Sequence, residues 1–271
     1  MRYNNINRKR DLMMKKLMSV GIILASALFT TAQAADEKVI RLASDFTYPP
    51  FNYKDASGTP KGFDIEIADA LCAEAKLKCE WVSQNWDGLI PALLSRKADA
   101  IMASMRITED RKKRVLFTDK YYQTPARFVT GKDSGITIDT AGLDGKTIGV
   151  QLGTIHDRYV TDIYGDVAKI RRYTGQDEVY LDLVSGRLDA VFGNSDQLVL
   201  AFLEKERGKD FALAGEPVTD KAYIGEGTAL ALRLQDKKLA DKFNQAIKTI
   251  RENGTYDKIA AGYFSFDIYG E

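Results

Sequence analysis

LLSRKADAIMAS, residues 93–104, and LVSGRLDAVFGN, residues 183–194, follow one plan: a helix end, a basic turn, Asp-Ala, an apolar strand and a small polar residue at the close. The likeness predicts that the chain uses one helix-to-strand unit twice. In open α/β sheets ligands sit outside the carboxyl ends of the strands, so Ser104 and Asn194 would each close a strand at such an edge. Two lobes with facing edges would then form a cleft. The alternative is a chance likeness between two common strand entries.

The rest of the chain fits an α/β pattern. Short β-rich runs (VIRLAS, ADAIMAS, TIGVQ, LDAVFGN, TALALR) are separated by amphipathic helical stretches. Residues 64–77 place Ile67, Ala68, Leu71 and Ala75 on one helical face, and residues 87–97 do the same with Ile90, Leu93 and Leu94. A third helix is predicted over residues 236–251, with Leu239, Phe243, Ile247 and Ile250 inward and Gly254 beyond its end. The strand TIGVQ ends in Gln151, and after Leu152-Gly153-Thr154 a helix should begin near Ile155. Free N–H groups at such a start suit a small carboxylate or phosphate. The turn lacks the GxxxxGK[ST] pattern of a nucleotide loop, which favours a carboxylate; alternatively it serves only the chain.

Composition narrows the function. The 271 residues are 45% hydrophobic and 28% charged, as in an ordinary globular chain. The first 34 differ: a basic run (Arg8, Lys9, Arg10, Lys15, Lys16), the apolar stretch LMSVGIILASALF, then Ala32-Gln33-Ala34. This reads as a secretory signal peptide cleaved near Ala34/Ala35, its core too short for a membrane span, with translation starting at Met1, Met13 or Met14. That segment holds six Lys or Arg and one Asp, leaving 33 basic against 37 acidic residues and a net charge of about −4. Such a balance argues against nucleic-acid binding. In an oxidising compartment Cys72 and Cys79 most simply form one disulfide at a helix end. A single histidine, His156, argues against a metal site, and no cofactor is called for.

YPPFNY, KGFDIEIADALC, WDGLIPALLSRKADAIMAS, ITEDRKKRVLFTDKYY, GKTIGVQLGT, SGRLDAVFGN and ENGTYDKIAAGYFSFDIYG together resemble the periplasmic solute-binding proteins of polar amino-acid ABC importers, those for lysine, arginine, ornithine and histidine in particular. The resemblance spans the chain after the leader. It implies the type II periplasmic-binding-protein fold: lobe 1 over residues 35–124 and 220–271, lobe 2 over 125–219, and a ligand cleft between lobes joined by two hinge strands. It also implies a periplasmic monomer that closes on one free amino acid and delivers it to an inner-membrane ABC permease.

Site roles follow from the same resemblance. Arg111 would fork onto the ligand carboxylate, with backbone N–H groups of Thr154 and Ile155 opposite and Gln151 and His156 nearby. Tyr48 and Trp86 would sandwich the ligand side chain, Asp45 and Asp64 would meet its distal cation, and Ser104 the α-amino group. Read without the resemblance, Arg111 is a solvated helix charge, Tyr48 and Trp86 are core aromatics, and Asp64 is a helix-start acid. Two positions depart from the family's usual pattern: Arg106 stands where relatives carry a small Ser or Thr, and Asn194 where they carry an Asp for the α-ammonium. The ligand expected first is an unmodified basic amino acid; the two changes would also suit an opine or other modified amino acid, or, if Arg106 turns outward or pairs with Asp45, a small one. The fold also serves periplasmic dehydratases, but no catalytic constellation is readable, so a binding role is expected rather than an enzyme.

Overall fold

The computed structural model describes residues 38–270; the signal-peptide segment lies outside them. In chain order the structure runs β1 (Ile40–Ser44), β2 (Thr47–Tyr48), β3 (Asn52–Lys54), β4 (Pro60–Lys61), α1 (Phe63–Glu74), β5 (Cys79–Ser83), α2 (Leu89–Leu94), β6 (Ala100–Ile101), α3 (Glu109–Lys112), β7 (Leu116–Phe117) and β8 (Ala126–Gly131). It continues with β9 (Thr147–Gln151), α4 (Ile155–Tyr164), β10 (Lys169–Tyr173), α5 (Gln176–Val184), β11 (Ala190–Asn194), α6 (Ser195–Leu198), β12 (Phe211–Val218), α7 (Lys221–Ile224), β13 (Ala231–Leu232), α8 (Lys237–Glu252) and α9 (Thr255–Ala260).

Two five-stranded sheets organise these elements, in the orders β5-β1-β6-β13-β7 and β10-β9-β11-β8-β12. Within each, the first three strands run parallel and the remaining pairings are antiparallel. Helices cover both faces of each sheet. Phe63, Ile67 and Leu71 of α1 and Phe243, Ile247 and Ile250 of α8 fill one side of the first, while Leu89 and Leu93 fill the other. Val160 and Tyr164 of α4, and Val179 and Leu183 of α5, do the same for the second. The result is the two-lobe α/β architecture expected from the sequence.

The repeated stretch builds the same local structure twice. Arg96 after α2 and Gly186 after α5 both adopt left-handed backbone, with φ of 62° and 73°. Lys97 N then donates to Ala92 O, and Arg187 N to Asp182 O, both at 2.9 Å, closing each helix by the same C-terminal motif. That motif ends α2 three residues short of the expected Lys97. Each Asp of the Asp-Ala pair then clips its strand to the parallel strand beside it, β1 in one sheet and β9 in the other. Asp99 N donates to Arg41 O at 2.8 Å while its Oδ2 accepts from Arg41 N at 3.2 Å; Asp189 N donates to Thr147 O at 2.9 Å while its Oδ2 accepts from Thr147 N at 2.8 Å.

Two strands are shorter than their apolar runs. Only Ala100–Ile101 of ADAIMAS and Ala231–Leu232 of TALALR stay in the ladder, because the flanking residues turn toward the crossovers between the sheets. There Tyr121 N donates to Thr228 O, and Thr228 N to Tyr122 O, both at 2.8 Å, so the two crossing segments run side by side. A disulfide joins Cys72 in α1 to Cys79 at the start of β5, with Cα atoms 6.3 Å apart. No helix of the described residues is long and apolar enough to cross a membrane.

Candidate functional site

Where the carboxyl ends of the two sheets face each other, a cavity opens. Eleven of the twelve residues expected at a ligand site line it: Asp45, Tyr48, Trp86, Ser104, Arg106, Arg111, Gln151, Thr154, Ile155, His156 and Asn194. Ala103 and Gln176 line it too.

One end is built for an anion. Thr154 caps α4: its hydroxyl accepts from Asp157 N at 3.1 Å and donates to Gln151 O at 2.8 Å. The first amides of this ten-residue helix therefore point out of its start, without intrahelical acceptors. Gly153 makes the entry possible, since its φ of 71° is left-handed backbone that a side chain would strain. Arg111 stands across from these amides. It lies 5.4 Å over the Trp86 ring and donates through Nη1 to Arg106 O at 3.0 Å. Burial, aided by the Arg158 and Arg106 charges, lowers its guanidinium to about 10, so it remains a cation. Burial, with the charges of Arg106 and Arg111, also pushes the His156 imidazole down to about 3, leaving it neutral. Its buried Nε2 has no protein partner.

Asp45 faces the other part of the cavity. Its Oδ2 accepts from Thr47 Oγ1 at 3.0 Å and from Gln151 Nε2 at 3.4 Å, while its Oδ1 is buried without a partner. Burial raises this carboxyl against the pull of both bonds, the state of an acid that lacks a cation. Tyr48 forms the adjoining wall, stacked on Phe51 at 5.7 Å.

Three departures from expectation have physical causes. Asp64 does not line the cavity. It is fully buried beneath Ser104, accepting from Ser104 Oγ, Tyr121 OH and Asn52 Nδ2, each at 2.8 Å. It fixes a serine whose φ of 54° is rare for a residue with a side chain. One face of Trp86 is taken by Arg111, and its Nε1 donates to Gly153 O of the opposite lobe at 3.3 Å. Arg106 neither turns outward nor pairs with Asp45. Only 3% exposed, it donates through Nη2 to the Thr124 carbonyl at 2.7 Å and to the Thr124 hydroxyl. Asn194 Nδ2 reaches the same hydroxyl at 2.6 Å, and its Oδ1 caps α6 by accepting from Asp196 N and Gln197 N. Gln176, at the start of α5, was not expected at the site; its place just beyond the carboxyl end of β10 is the signal that could have marked it.

The buried Asp64 carries a pH signature. Burial lifts its carboxyl to about 6 despite three hydrogen bonds, above the value of about 3.9 in an unfolded chain. Folding thus favours the protonated form. Its contribution is fully present below about pH 4 and lost as pH rises through about 6. Between pH 4 and 7, Asp64→Asn should gain on the wild type by up to roughly 3 kcal/mol. Denaturant unfolding of both proteins at the two pH values measures this, and parallel pH profiles would contradict it.

The lobes already touch across the cleft, through Trp86–Gly153, Asp45–Gln151 and an Asp110–Arg158 ion pair at 2.9 Å. Known proteins resemble this chain over most of its length. The chain is 46% identical to an L-arginine-binding protein of Pseudomonas aeruginosa over 95% of its own length and 99% of that protein. It is 38% identical to the lysine/arginine/ornithine-binding periplasmic protein of Escherichia coli, covering 96% of this chain and 100% of that one. A solved structure of an ancestral arginine-binding protein bound to arginine superposes with a TM-score of 0.77 at 34% identity, covering 84% of this chain and 98% of that one. The model of family 3 of the bacterial extracellular solute-binding proteins matches residues 40–266, and the chain belongs to that family.

Proposed function

We propose that this protein is the periplasmic capture component of an ABC importer for a basic amino acid, arginine foremost. The observation that carries this reading is the polarity of the cavity: Arg111 and the amides of α4 at one part, an unpartnered Asp45 oxygen at another. A ligand carboxylate pairs with Arg111 and with the amides of Thr154 and Ile155. The ligand's alkyl stem runs along Tyr48, and its distal cation reaches Asp45. Contacts to both lobes favour the closed form, which the permease then recognises. The lobes divide near residues 124/125 and 219/220, the leader before Ala35 is removed on export, and the released ligand is unchanged. The names of the relatives and the absence of a readable acid–base pair support capture over turnover.

Calorimetry and thermal shift on protein freed of co-purified ligand by unfolding and refolding test the reading. A ligand at a hundred times its Kd stabilises by about 2.7 kcal/mol, or roughly 5–10 °C at this size. Arginine, lysine, ornithine or histidine should produce such a shift. No response to any of the four, free or modified on the α-nitrogen, would sink the proposal.

A further inference from the structure

Three successive residues of the one-turn helix α3 reach three different places. Arg111 enters the cavity, Lys112 Nζ pairs with Glu226 of the returning crossover at 2.7 Å, and Asp110 Oδ2 accepts from Arg158 Nη1 of α4 at 2.9 Å. The last of these joins the two lobes, and it does so outside the cavity. Arg111, Thr154 and Ile155 line both the cavity and a second, open groove, and so form the partition between them; Asp110 and Arg158 line the groove and not the cavity. The ion pair thus spans the two elements that a ligand carboxylate would span, α3 and α4, but needs no ligand to form.

With side chains 35% and 64% exposed, such a pair contributes little as a rule, because two flexible groups must be fixed to make it. Here the fixing is largely done beforehand. Arg158 Nη2 donates to Ala222 O, and its guanidinium lies 5.3 Å over the Tyr223 ring. Both residues belong to α7, whose Ile224 is buried with Phe128 and Val160 in the core of the second sheet. The cation is therefore aimed by the side of the cleft it sits on. Opposite it, α3 is pinned to the crossover by Lys112, by Ile107 N donating to Gly227 O at 2.9 Å and by Glu226 N donating to Ile107 O at 3.1 Å. Closure also brings Arg158 close enough to Arg111 for its charge, after burial, to lower that guanidinium. Asp110 supplies the opposite charge that offsets this repulsion across the cleft.

We propose that Asp110 and Arg158 form a closure latch that holds the lobes together in the absence of ligand, so that part of the affinity is set by a contact the ligand never touches. A latch of this kind raises the share of molecules already in the binding-competent closed form, and affinity rises with that share. It concerns closure and not the identity of the ligand. Small-angle X-ray scattering of ligand-free protein, unfolded and refolded to remove anything bound, tests it together with arginine calorimetry. In low salt, Asp110→Ala should have a larger radius of gyration than the wild type, and the charge-reversing Asp110→Arg a larger one still, brought back by adding Arg158→Asp. Salt at about 1 M, where charges are screened beyond roughly 3 Å, should expand the wild type and leave Asp110→Ala as it was.

Arginine should bind Asp110→Ala about two- to fivefold more weakly than the wild type. The direction matters, because Asp110 is an acid beside the carboxylate end of the cavity, and through its field alone its loss would tighten the hold on a carboxylate. Equal radii for the wild type and Asp110→Ala in low salt would overturn the latch, as would arginine binding of equal or greater strength in the variant. A wild type that does not bind arginine would count against the basic-amino-acid reading alone, and the scattering of the ligand-free proteins would still decide the latch.

Discussion

Arg111→Ala should reduce ligand affinity by a factor of a hundred or more while leaving the ligand-free protein about as stable as before. The two halves of this expectation have separate causes. In the complex, the guanidinium makes a two-pronged, charge-assisted contact with the ligand carboxylate, each bond worth roughly 1.5–3 kcal/mol. In the empty protein the same group sits desolvated beside two other arginines, which is why its pKa falls to about 10. Its protein contacts are modest: one hydrogen bond to Arg106 O and the Trp86 face. Losing them costs about 1 kcal/mol, offset by relief of like-charge repulsion. Lysine at this position restores the charge but not the fork, so Arg111→Lys should recover only part of the affinity. Titration calorimetry and thermal melts of the three proteins decide it, and affinity within threefold of wild type in the alanine variant would refute the placement of the carboxylate.

The largest loss of stability should come from Asp99→Ala, at roughly 3 kcal/mol or more. Asp99 is 2% exposed and accepts from Arg41 Nε at 2.9 Å, Arg41 N at 3.2 Å and Arg233 Nη2 at 3.0 Å. Burial alone would raise its carboxyl, but the bonds from Arg41 and Arg233 outweigh it and hold the group at about 2. Removing the carboxylate strands the buried Arg233, which keeps only Asp236 and two carbonyls. Asp189 is the counterpart in the other lobe, yet its side chain is 40% exposed and its cation, Lys146, is 3.9 Å away. Asp189→Ala should therefore cost about 1 kcal/mol, mostly the strand clip. At this size the two variants should differ by several degrees in Tm; equal melting temperatures would show that the buried network adds nothing.

What could be read from the sequence was what periodicity and strand edges encode. The α8 helix was legible because Phe243, Ile247 and Ile250 recur at helical spacing, and it forms over Lys237–Glu252 against an expected 236–251. Ser104, Gln151, Thr154 and Asn194 were legible because a strand's carboxyl end is where an open sheet meets its ligand. Side-chain direction was not. Asp64 stands at a helix start, where an acid is favourable on electrostatic grounds alone, and nothing local says that it points inward to Ser104 and Tyr121. Nor does spacing show that Arg106 and Asn194, 88 residues apart, meet through Thr124. That link depends on the crossing segment between the lobes, a long-range contact without a periodic signature.

The strand order of the first sheet imposes an order on assembly. Its strand β13 lies between β6 and β7, although more than a hundred residues separate it from either along the chain. All five strands of the second sheet come from residues 126–218. As the polypeptide emerges from the ribosome or the export channel, the second sheet has all its strands once residue 218 has passed. The first must wait for residue 232, and its helical cover for α8 and α9. Until then β6 and β7 carry open edges of the kind that invites pairing with another chain. The half of the molecule that is made first is thus the half that stays vulnerable longest, and it depends on whatever shields unfinished chains during export.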